Sequence, residues 1–64
     1  MTPLTIQIRA RELLHAIALL LQCLRIPNAN AVEHHIWRRH IQHLRAALER
    51  LYVAGLPRDF AAVT

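Results

Sequence analysis

The sequence predicts an all-α fold: an antiparallel two-helix hairpin that dimerises into a four-helix bundle. Three observations carry this expectation. Apolar residues recur in alternating steps of four and three along two long segments, which keeps one helical face apolar. The helix breakers Pro3, Pro27, Gly55 and Pro57 fall only at the ends of those segments. The segments have equal lengths of about 24 residues, or roughly 36 Å, and a short turn joins them, as in helices packed antiparallel.

Thr2 suits the cap of the first helix, with Pro3 at the first helical position, where its missing N–H costs nothing. The helix is expected over about 3–26, because Pro27 disfavours helical geometry in the residue before it. The turn is 27–30, "PNAN". Asn30 followed by Glu33 resembles a capping box and starts the second helix, with Asn28 as the alternative cap. That helix is expected over about 31–54, where Gly55 suits a left-handed closing residue and Leu56 folds back on Leu51. The short tail is 55–64, and its Phe60 is expected to dock on the bundle. The whole chain, 1–64, reads as one helical-hairpin domain.

The first seam is Ile6, Ala10, Leu13, Ile17, Leu20 and Leu24, widened by Leu14 and Leu21. The second is Trp37, Ile41, Leu44, Leu48 and Leu51. Such heptad spacing lets helices interlock knobs into holes. One hairpin leaves a side of each broad seam wet, and a second copy covers it. A chain of 64 residues with a single cysteine also has no intrachain disulfide to supplement its small core. The expected dimer core is therefore Leu13, Ile17, Leu20, Leu24, Trp37, Ile41, Leu44, Leu48 and Leu51.

Ile8, Leu19 and Ile26 lie on one line nearly opposite the first seam, with Leu4 beside it, by the count of about 100° per residue. A hairpin dimer leaves these groups exposed. They are the expected surface for a partner protein, set against the plainer reading of scattered surface apolar groups.

Charge and polar groups narrow the chemistry. All eight basic residues are arginine, a usage that GC-rich coding also produces, and net charge is +4 with neutral histidines. Arg38, Arg39, Arg45 and Arg50 occupy the polar half of the second helix without forming one stripe, and Glu49 lies near Arg45. A solvated face with Glu–Arg pairs is the expected state, and phosphate binding by those four arginines is the alternative. Small dimeric RNA-binding hairpins share this size and architecture, a likeness of shape with no shared residue motif.

The stretch "NANAVEHHIWRRHIQHL" holds four of the five histidines. Only His40 and His43 share a helical face at ligand spacing, and no Cys or carboxylate completes a tetrahedral set. No metal is expected, although facing pairs in a dimer would offer a bridging site. His35 and His43 are expected in solvent, with His40 at the seam edge beside Ile36 and Ala47. Trp37 is expected to anchor the turn end of the second seam and Tyr52 the other end.

Catalysis has little support. Serine and lysine are absent, and there are four carboxylates. Cys23 and His15 are eight residues apart, about 12 Å along a helix, and no glycine-rich loop exists to cradle phosphate. No cofactor is expected. The apolar run "LLHAIALLLQCL" is shorter than the ~20 residues of a membrane span. No basic segment precedes an apolar core at the start, so no export signal is expected. The single thiol suits a reducing compartment, the cytoplasm.

The expected function is that of a small, non-enzymatic, dimeric modulator of a partner protein: an adaptor, antagonist or inhibitor of the kind mobile elements encode. The alternative is a dimeric nucleic-acid-binding hairpin.

Overall fold

Thr2 opens the first helix, its extended backbone placing Oγ1 to accept from the Thr5 amide at 3.2 Å. In the computed structural model, which describes residues 2–60, helix α1 spans Pro3–Cys23 and helix α2 spans Ala31–Val53. Residues 61–64 of the expected tail lie outside the described residues. The two helices pack against each other, and the described residues contain no strand. The hairpin measures 41 × 19 × 16 Å.

α1 ends three residues before the expected Ile26. The amides of Arg25 and Ile26 turn back to the carbonyls of Gln22 and Cys23, at 3.0 and 3.1 Å. These i→i+3 bonds tighten the last turn. Pro27 acts through Ile26, which it pushes out of helical geometry, and the tightened turn carries that constraint back to Cys23. Ile26 therefore sits in the connection and not on the helical line of Ile8 and Leu19.

Asn30, rather than Asn28, caps α2: its Oδ1 accepts from the Glu33 amide at 2.8 Å. The other end closes as a full Schellman motif. Leu56 N–H donates to Leu51 C=O at 2.9 Å, Gly55 N–H donates to Tyr52 C=O at 3.2 Å, and Gly55 has φ 125°. This fold-back buries Leu56 against Leu51.

The core is uneven along the hairpin. At the open end, Ile6 and Ala10 of α1 meet Leu51 of α2 with Leu56 and Phe60 of the tail. Leu13, Leu14, Leu48 and Tyr52 pack against this cluster. Toward the turn, the buried side chains are Ile17 and Ile41, and no described tail residue covers them. Leu20, Leu24, Trp37 and Leu44 are there only half-buried.

Candidate functional site

Four faces of the hairpin follow from the helical step. Ile6, Ala10 and Ile17 of α1 face inward, as do Ile41 and Leu51 of α2. A groove of about 200 Å³ runs along one flank, lined by Leu21, Leu24, Arg38, Ile41, Gln42 and Arg45. Leu20 and Leu21 lie on opposite sides of the inward line of α1, and Leu44 and Arg45 on opposite sides of that of α2, by the step of about 100°. The other flank therefore carries Leu13, Ala16, Leu20 and Cys23 of α1 beside Leu44 and Ala47 of α2, and all six are half-buried.

Among the residues expected in a dimer core, Ile17, Ile41 and Leu51 are already buried within one hairpin. Leu13, Leu20, Leu24, Trp37, Leu44 and Leu48 keep part of their apolar surface in solvent. The fourth face is the outside of α1. Leu4 is 66% exposed, Ile8 and Leu19 are each 49% exposed, and Ile26 in the turn is 46% exposed. Val32, Ile36 and Val53 of α2 add exposed apolar groups absent from the expected partner surface. Val32 and Ile36, four residues apart, share one outer face of α2, whereas Val53 stands away from them by the helical step.

Arg38, Arg39, Arg45 and Arg50 are all exposed. Among the described residues, no ion pair engages any of them. Glu49, expected beside Arg45, pairs instead with Arg58 of the tail at 3.3 Å. The Arg58 guanidinium also lies 4.8 Å from the centre of the Tyr52 ring. The fold-back of the tail is expected from Gly55, Leu56 and Phe60, but sequence reasoning did not assign Arg58 to Glu49 and Tyr52, because the local pattern does not fix where a tail side chain lands.

The histidines separate by burial. His15, His35, His40 and His43 are exposed, and no group of three or more metal-ligating side chains gathers among the described residues. His40 is exposed, while of its expected neighbours Ala47 is half-buried and Ile36 exposed. His34 is half-buried, its ring 5.7 Å from Trp37 and tilted by 60°. Its Nε2 is enclosed and has no hydrogen-bond partner among the described residues. The spacing of three residues places His34 beside Trp37 on one face, but does not reveal the missing partner.

At the open end, a second groove of about 220 Å³ lies between Pro3, Ile6 and Gln7 and the segment from Ala54 to Pro57. Among its described lining residues, Gln7 alone has a polar side chain. No described helix is long and apolar enough to cross a membrane. No family model, curated protein or solved structure matches the chain.

Proposed function

We propose that the chain is a non-enzymatic, dimeric helical hairpin that binds and modulates a partner protein through the outside of α1. The carrying observation is the exposed apolar line Leu4, Ile8 and Leu19 on the face of α1 turned away from α2, with Ile26 exposed separately in the turn. A surface helix whose function is only to pack on its neighbour keeps that outer face polar. The half-buried flank of Leu13, Ala16, Leu20, Leu44 and Ala47 supports self-association. Its alanines permit close approach, and its leucines gain burial when a second hairpin covers them. The four-helix bundle formed this way leaves the outer line of α1 open. A single thiol fits a reducing compartment such as the cytoplasm.

Two substitutions separate dimer from partner surface. Leu44→Asp places a carboxylate on the covered flank, so sedimentation equilibrium should fall from twice the chain mass to a monomer. Leu19→Asp should leave the dimer intact and remove nuclease-resistant partner proteins retained by tagged wild type from cell lysate. A persistent Leu44→Asp dimer would move the interface elsewhere, and unchanged retention by Leu19→Asp would remove the outer line from function.

The unpaired arginines of α2 support a second reading, nucleic-acid binding. Under it, Arg38→Ala with Arg45→Ala weakens RNA or DNA binding and flattens its salt dependence by about one unit of slope for each phosphate no longer neutralised. Retained material would then vanish on nuclease treatment.

A further inference from the structure

We infer that the flank groove between α1 and α2 is a docking site for an acidic amphipathic helical segment. The segment would seat a leucine-like side chain on Leu21, Leu24 and Ile41 and place carboxylates on Arg38 and Arg45. This rests on the protein-binding reading and gives it a partner chemistry, on a face separate from both the outer α1 line and the dimer flank.

Three features of the groove select this occupant. First, its floor and its rim differ in kind. Ile41 is buried beneath the groove, Leu24 is half-buried, and Leu21 is 41% exposed, so an apolar wall stands open to solvent. Arg38, Gln42 and Arg45 form the polar wall opposite. No described carboxylate lines the groove, and neither arginine has an ion-pair partner among the described residues. The vacant charge complement is thus negative and lies beside apolar surface.

Second, the arginines have a spacing that a helix can match. Arg38 and Arg45 are seven residues apart, about 10 Å along α2. Carboxylates seven residues apart on another helix have the same separation and nearly the same direction. An apolar residue three or four positions after the first carboxylate falls between them, over the groove. Guanidinium groups take carboxylates in a planar fork, which fixes register as well as charge. Gln42 lies between the two arginines in sequence and can donate to a third polar group.

Third, the groove fits phosphate backbone poorly. A nucleic acid strand leaves Leu21 and Leu24 uncovered, and Arg39 and Arg50 point to a different side of α2 by the helical step. The two arginines of the groove therefore belong with its apolar wall, not with a four-arginine phosphate face.

The test uses the full chain and a fluorescein-labelled helical peptide of about 15 residues. The peptide is alanine-based, with two glutamates seven residues apart and leucine three and four positions after the first. Anisotropy titration should give saturable binding. Replacing both glutamates by glutamine, or both leucines by alanine, should weaken it roughly tenfold or more. Arg38→Gln with Arg45→Gln, and separately Leu21→Gln, should each weaken the wild-type peptide by a similar factor. Leu21 is exposed, so unchanged helical circular dichroism is expected for its variant. Leu19→Gln, on the outer line, should leave peptide binding unchanged. That variant distinguishes failure of the groove from failure of the outer surface.

Absence of saturable binding, equal binding of the glutamine peptide, or indifference to Leu21→Gln would each overturn the proposal. Tighter binding of a single-stranded RNA of equal charge, abolished by the same arginine substitutions, would overturn it too and assign the arginines to nucleic acid.

Discussion

His34 combines a packed ring with an unmet polar atom. Its Nε2 is enclosed without a partner among the described residues, while its ring leans on Trp37 near the start of α2. An enclosed nitrogen without a hydrogen bond costs stability that an apolar ring of similar shape does not. His34→Phe should therefore raise stability by about 0.5–1.5 kcal/mol, read as a higher urea midpoint at unchanged slope. A lower midpoint would mean that the imidazole finds a partner in solution. The Arg58–Glu49 pair is the contrasting case. Both side chains are largely in solvent, so the pair is worth under about 1 kcal/mol and orients the tail more than it stabilises it. The stack of Arg58 over Tyr52 acts in the same direction.

Each helix is bounded by side-chain and backbone groups that meet otherwise orphaned amides and carbonyls. Thr2 and Asn30 serve the two N-termini, and the Schellman turn at Gly55 serves the C-terminus of α2. Asn30 sits beside the turn, where little core surrounds it, so its cap carries a large share of local order. Asn30→Ala should cost about 1 kcal/mol in chemical denaturation, while Asn30→Asp should nearly preserve stability. Equal losses in both variants would show that the carboxamide has a role besides its acceptor oxygen. α1 differs from α2 in being apolar on several sides. That character explains why one helix takes part in the core, both flanks and the outer line at once.

Over the whole molecule, stability is concentrated at the open end. Leu56 and Phe60 close the cluster of Ile6, Ala10 and Leu51, so a tail segment functions as core. Phe60→Ala should cost about 3 kcal/mol, a large part of what a chain of this size holds. The loss should appear as a lower thermal midpoint and faster amide exchange in both helix ends near the tail. A change within about 0.5 kcal/mol would mean that Phe60 does not close this core. The turn half lacks such a cover among the described residues, and Leu20, Leu44 and Trp37 stay half-buried. In the proposed dimer, a second hairpin supplies that cover, joining stability to association.

The helical class, the caps at Thr2 and Asn30, the stop at Gly55 and the inward residues are legible in the sequence. Each depends on spacing or on local backbone chemistry, which a one-dimensional pattern records. The outer line at Leu4, Ile8 and Leu19 is legible for the same reason, since helical step alone puts residues opposite a seam. Ile26 leaves that line because the tightening before Pro27 consumes three residues that the pattern alone counts as helix. Position on one helix matches Glu49 to Arg45, but the folded tail offers it Arg58 instead. The groove is not legible either. Leu21 and Arg38 lie on different helices, and only the packing of α1 on α2 decides which flank of one meets which flank of the other. Sequence alone determined two capped amphipathic helices and their faces. Tertiary structure decided which residues of α1 the tail meets, the half-buried flank and the arginine-rimmed groove, because each depends on contacts between residues far apart along the chain.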